Sequence, residues 1–398
     1  IDSPDSDGWT ALFYASRGGH FEILNELLHH RVNVTVTAGN SRTTALHIAA
    51  DNGRLNIVQE LLAHGANADA ATVNGFTTLF GACEDGHFDI VQELILNGAN
   101  VNAASNVNHF YLPQISQVVV YFVGFANSAQ KGHVAIVEEL LNHSANINHD
   151  RGKGLTALHS AAVAGQRDVV CKLLTHGDLL NALVQDGLSP LYYAAEAGCF
   201  DVVKELLQQG AKLELGSENE RRVPLVGACM GGDFDLFIEL FAHGANIHST
   251  GSDGIAPLQA AVTKGNMQII HELLARGAVV DVLVNGLTPL YTAAEVEFQN
   301  VVDELLKHGA KVQLDSSDED RPPIVGAALN GYLDIVKILL QHGADANRTG
   351  KEGWSAMRMA SQNGHAEVVQ ELFHYGAQID AVSKRVGFLQ PMRIDILK

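Results

Sequence analysis

The chain is 398 residues long, 46% hydrophobic and 18% charged, with a formal net charge of −19. That much apolar side chain supports a continuous core, while the acidic balance excludes the basic footprint that nucleic-acid binding requires. Its four cysteines form no C-x-x-C pair, which argues against zinc or redox chemistry and for a reducing, intracellular setting.

Taken in chain order, a leucine-like anchor recurs eleven times: Leu12, Leu46, Leu79, Phe125, Leu158, Leu191, Leu225, Leu258, Leu290, Ile324 and Met357. Nine of the ten intervals are 32 to 34 residues, so each period is one small supersecondary unit. A unit of that size cannot bury its own apolar face, and neighbours must stack. Seven residues after the anchor stands a glycine in ten units, Glu297 being the exception; nineteen after it stands a glycine in nine, Arg31 and Ser144 being the exceptions.

The second unit shows the logic. Thr44-Ala45-Leu46-His47-Ile48-Ala49-Ala50 opens a helix with a hydroxyl cap and an alanine pair that lets a neighbour approach closely. Gly53 ends it, because a residue without Cβ takes positive φ at little cost. Ile57, Val58, Leu61 and Leu62 then mark one face of a second helix, and Gly65 stops that one. Ala66-Asn67-Ala68-Asp69 and Asn74-Gly75 carry turn chemistry for a hairpin-like loop. Pro190, Pro257 and Pro289 occupy first helical positions, where a missing N–H costs nothing.

This pattern resembles the ankyrin repeat. Thr156-Ala157-Leu158-His159, Ala161-Ala162, Gly165, Val169-Val170, Leu173-Leu174 and Gly177 follow its signature in order, as does the run from Ser189-Pro190-Leu191 to Gly210-Ala211. The resemblance covers essentially residues 1–398 and implies an all-α solenoid of stacked helix pairs with protruding β-hairpin-like loops, read here as a single array. It further implies a non-catalytic scaffold or adaptor that holds another protein, with no catalytic residue, cofactor or metal. The alternative it allows is a targeting or substrate-recruiting array of a larger enzyme or channel. A monomeric array in the cytoplasm or nucleus, without membrane insertion, is the corresponding expectation. His47 and His159 are the motif histidines, which in this family tie neighbouring loops together.

Two stretches depart from the pattern. The interval from Leu79 to Phe125 is 46 residues, and the surplus at about 106–124 includes the β-branched run Val118-Val119-Val120. A gene-model artefact, a loop folding back on the array and a partner-binding strand are its three readings; it is too short to span a bilayer. Residues 384–398 read as the start of a twelfth unit, so the chain reads as a fragment. A second period overlies the first, because Leu191, Leu225 and Leu258 recur 99 residues on as Leu290, Ile324 and Met357, implying duplicated three-unit blocks.

Nineteen histidines raise a metal hypothesis, but seven of them (His30, His64, His143, His176, His243, His308 and His342) share the position before the second-helix stop. There an imidazole meets free carbonyls and the negative end of the helix dipole, which makes capping the stronger reading. Three residues before each anchor stand Trp9, Phe76, Leu155, Leu188, Ile255, Leu287 and Trp354, with Arg222 and Arg321 as charged tips of the sister units; these loop tips either pack on one another or form an apolar ridge that a partner covers. Tyr193 adds an aromatic on the concave helix surface. Arg222 and Arg321 have a local alternative in Glu220 and Asp320.

Overall fold

The computed structural model describes residues 2–103, 124–148, 155–177, 179–184, 187–215, 223–251, 253–314, 321–350 and 353–378. Its contacts divide the chain into two compact units, Ile1–Ser217 and Glu218–Lys398, each built from helix pairs.

In the first unit the pairs are α1 (Ala11–Gly18) with α2 (Phe21–His29), α3 (Ala45–Asp51) with α4 (Leu55–Ala63), α5 (Thr78–Asp85) with α6 (Phe88–Leu96), α7 (Gly124–Lys131) with α8 (Val134–Asn142), α9 (Ala157–Val163) with α10 (Arg167–Thr175), and α11 (Pro190–Glu196) with α12 (Phe200–Gln208). The second unit pairs α13 (Pro224–Gly231) with α14 (Phe234–Ala242), α15 (Pro257–Lys264) with α16 (Met267–Ala275), α17 (Pro289–Glu295) with α18 (Gln299–Lys307), α19 (Pro323–Asn330) with α20 (Leu333–Gln341), and α21 (Ala356–Asn363) with α22 (Ala366–His374). Within each unit, first helices pack on first helices and second on second.

The alanine pairs explain how helices of seven or eight residues stack. Ala49-Ala50, Ala161-Ala162 and Ala293-Ala294 are completely buried, so consecutive first helices meet almost backbone to backbone. Ile57, Val58 and Leu61 of α4 are equally buried, and each contributes about 2 kcal/mol of apolar burial. Leu62, expected on the same face, is only partly covered.

Capping follows the sequence closely. The Thr44 side chain accepts from the His47 N–H and the His47 ring accepts from the Thr44 N–H, while Ser189, Thr288 and Ser355 cap α11, α17 and α21 in the simpler way. At the three positions where glycine is missing the backbone still takes the left-handed conformation, with φ of 58° at Arg31, 63° at Ser144 and 64° at Glu297. The stop is therefore imposed by the stack.

Loops between pairs turn back as hairpins. β1 (Thr37–Ala38) and β2 (Thr43–Thr44) pair antiparallel, and single bridges join Ala71 to Thr77, Val284 to Leu287 and Thr349 to Ser355. Gly124, placed by its sequence at the end of the inserted stretch, begins α7, and a Cβ there would lie 3.2 Å from the Cys83 side chain. The rest of the insertion, and the twelfth unit, lie outside the described residues.

Candidate functional site

Each hairpin tip leads directly into a first helix, and the tip carbonyl closes its own hairpin. Thr72 N–H donates to Phe76 O at 2.9 Å, Val184 N–H to Leu188 O at 3.0 Å, and Gly350 N–H to Trp354 O at 3.2 Å. The tip side chain then folds onto the helix it precedes. Trp9 packs against Phe13 and Tyr14 with ring centroids 5.7 and 5.4 Å apart, Phe76 against Phe80 at 4.6 Å, and the Arg358 guanidinium lies 5.5 Å from the Trp354 ring. Tyr14 remains 52% exposed while donating its hydroxyl to Asp5 at 2.6 Å.

The tips, expected either to pack on one another or to face a partner, are covered to different degrees. Trp9, Phe76, Leu188, Ile255, Leu287 and Trp354 are half-buried, and Leu155 and Tyr193 are buried at 8% and 5%. The reason is packing within the first unit: Leu155 and Tyr193 form a small core with Val184, against which Val163 and Leu188 lie. Arg321 is half-buried and hydrogen-bonds the Tyr291 hydroxyl, which itself donates to Glu295 at 3.0 Å, so a contact absent from the sequence reading occupies it. Burial of Tyr291 pushes its hydroxyl up to about 12. Arg222 lies outside the described residues.

Histidines do structural work of three kinds. At the second-helix stop, His64, His143, His176, His243, His308 and His342 each bring Nδ1 to the carbonyl four residues back at 2.8 to 3.0 Å, and Asn97 does the same through its amide at 2.8 Å. His87, His133 and His365, one residue past the inner glycine, reach back to carbonyls of the preceding repeat at Asp51, Glu84 and Leu329. Gln166 and Asn266 play that role in their repeats. The motif histidine His47 bridges Thr44 and the Phe76 carbonyl, at 2.7 and 3.1 Å. Burial lowers its basicity, and burial brings His159 down to about 4 against the opposing pull of backbone carbonyls. Among the described residues no group of three or more His, Cys, Asp or Glu side chains is placed to hold a metal ion.

Sequence reasoning missed a ladder along the loops. Twenty-three residues after an anchor, a side-chain oxygen accepts the backbone N–H of the next repeat: Asp69 from Asn100 at 2.7 Å, Asn102 from Asn146 at 2.7 Å, Asn181 from Lys212 at 2.9 Å, and, in the second unit, Asn347 from Gln378 at 2.7 Å. The recurrence of Asn or Asp at this spacing was the available signal. A second set of cross-links ties second helices: Gln59 to Glu93, Gln92 to Glu139, Lys172 to Glu138, Arg167 to Glu205 and His271 to Glu304.

Family models for ankyrin repeats in three copies match residues 35–105, 125–217, 225–318 and 314–383, and the single ankyrin repeat model matches 7–38. The chain belongs to the ankyrin-repeat family. The ankyrin array is 30% identical over 168 residues to ankyrin repeat protein nuc-2 of Neurospora crassa, covering 41% of this chain and 16% of that protein. It is 30% identical over 164 residues to the B-cell lymphoma 3 protein homolog of Mus musculus, covering 40% of this chain and 37% of that one. The array thus spans well under two thirds of these relatives. Among solved structures, the human ASB11 ankyrin repeat domain superposes with a TM-score of 0.51 at 26% identity, over 60% of this chain and 99% of that chain. Ankyrin repeats serve in general as protein–protein interaction modules. No helix among the described residues is long and apolar enough to cross a membrane.

Proposed function

We propose that the ankyrin array is a non-catalytic scaffold or adaptor, a monomer in the cytoplasm or nucleus, that holds another protein on its hairpin tips and first-helix faces. The observation that carries this reading is the combination of rigid loops and half-exposed aromatics. Within each unit the Asn/Asp ladder cross-links neighbouring hairpins, and Trp9 and Phe76 in the first unit and Trp354 in the second keep part of each ring open to solvent. Rigid aromatic side chains presented this way bind at low entropic cost. Four free cysteines accord with a reducing compartment. The greater length of the relatives favours a second reading, in which the array recruits targets for a domain elsewhere in a larger protein.

Affinity capture from cell extract, followed by titration of the purified array with the purified captured protein, tests the scaffold. A saturable complex is expected. Replacing Trp354 and Leu287 with serine should then weaken it at least ~10-fold while the melting temperature holds, since a buried interfacial aromatic is worth about 2 kcal/mol. Lower melting with unchanged affinity would assign the tips to bracing alone.

A further inference from the structure

Two residues past the glycine position that ends each second helix stands a side chain whose role repeats along the chain. In six repeats it is Asn33, Asn67, Asn100, Asn146, Asn246 or Asp345, and its oxygen accepts the backbone N–H two residues on, at 2.9 to 3.2 Å. That Asx turn fixes the base of the hairpin. Gln378 keeps a polar amide there in the last repeat. The remaining four repeats depart from the rule, and they fall into neighbouring pairs: Leu179 then Lys212 in the first compact unit, Val279 then Lys311 in the second.

Leu179 and Val279 carry no acceptor, so the Asx turn is given up at both. Nor is burial gained in exchange, since the two are 55% and 59% exposed. Leu283, four residues past Val279, adds another exposed apolar side chain. Each apolar residue is tied to the lysine of the next repeat. The Lys212 N–H donates to the Asn181 side chain at 2.9 Å, two residues after Leu179, and the Lys311 N–H donates to Asp281 at 3.1 Å, two residues after Val279. Both lysine side chains are exposed, and neither makes an ion pair with a described residue, in a chain of net charge −19. Glu214 and Asp281 are the carboxylates beside them in the loops; Asp281 is spent on the Lys311 N–H, so each ammonium stays open.

We infer that each pair, Leu179 with Lys212 and Val279 with Lys311, is a docking point for an extended, acidic and apolar segment of a partner protein. An apolar side chain of the segment covers the Leu or Val, and an Asp or Glu meets the ammonium. This rests on the reading that the array holds another protein, but it puts these contacts at hairpin bases instead of tips. Stacked helices lie about 10 Å apart, and an extended chain rises about 3.3 Å per residue. The segment therefore matches a pair when its apolar and acidic residues are two or three positions apart. Charge selects the occupant: a purely apolar segment leaves the lysine unanswered, and a basic one is repelled by it.

NMR on the full chain with labelled Leu and Val methyls tests this, using a synthetic peptide of four Leu-Ser-Asp triplets as the probe. Leu179 and Val279 methyl signals should shift saturably, and Lys212→Gln with Lys311→Gln should weaken binding about 3-fold, the worth of an exposed ion pair. Exchanging each Asp of the peptide for Asn should weaken it too, although the net charge of −19 favours the neutral peptide. Methyls that do not shift, or affinity unchanged by either exchange, overturn the proposal. Leu179→Asn with Val279→Asn separates docking from folding. With the Asx turn restored, this variant should melt no lower and bind the peptide ~5-fold more weakly, as apolar contact is lost; unchanged affinity overturns the proposal. Titrating the Trp354→Ser, Leu287→Ser protein keeps the claim apart from the tip reading. Retained peptide binding supports docking at the bases, and lost binding places the segment on the tips and overturns it.

Discussion

Arg31, Ser144 and Glu297 stand where the other repeats use glycine, and each adopts φ near +60°. A side chain in that region costs about 1–2 kcal/mol, partly offset by the greater freedom of an unfolded glycine. Replacing any of the three by glycine should raise stability by about 1 kcal/mol, read as a rise in denaturation midpoint; Gly65→Ala, at φ 87°, should lower it. His159 gives the first unit a pH dependence. Fully buried and brought down to about 4, it disfavours a proton that the unfolded chain accepts near 6.5. Stability of the first unit should therefore fall as pH drops from about 6.5 to 4, by up to about 3 kcal/mol. His159→Gln should flatten that slope in denaturant titrations run at several pH values; an unchanged slope would show that another group is responsible.

At the scale of elements, helices of seven to nine residues are too short to persist alone, so caps and cross-links decide where they begin and end. The Asn/Asp ladder is the link most exposed to test. Asn102 accepts from Asn146 and donates to the Ser144 carbonyl, spanning two repeats from one side chain. Asn102→Ala should destabilise by about 1–2 kcal/mol and speed amide exchange in residues 144–148 more than in α5. Uniform acceleration across both would mean that the loop has no independent hold. The tips illustrate the same dependence: Leu155 reads as an exposed apolar residue, yet the following repeat supplies Tyr193 and Leu188 to cover it.

For the whole molecule, stability in a repeat array is close to a sum of unit and nearest-neighbour terms, so a weak repeat stays locally weak. The fourth repeat is the candidate. α7 lacks the Thr-Pro-Leu start and buries the polar Asn127 and Ser128, and α8 is followed by Ser144 in place of glycine. Ser128 donates to the Gly124 carbonyl at 2.8 Å, with the Cys83 carbonyl at 3.3 Å. Native-state exchange should therefore open α7 and α8 before α3–α6 or α9–α12 of the same unit, and equal protection throughout would remove this claim.

Sequence by itself determined the repeat, its boundaries and most of its caps, because these depend on contacts within a few residues: Thr44 with His47, Gly53 after Ala50, His64 with Glu60. The family followed from the same local signals, repeated often enough to be unmistakable. Tertiary structure alone decided what lies between repeats. That Asp69 meets Asn100, that His87 reaches Asp51, that Arg321 is drawn to Tyr291 and that His271 faces Glu304 all depend on stacking across about thirty residues of chain. Only the ladder leaves a trace, in the recurrence of Asn or Asp from repeat to repeat; for the rest the partner's position is fixed by how closely the alanine faces pack rather than by any neighbour in sequence.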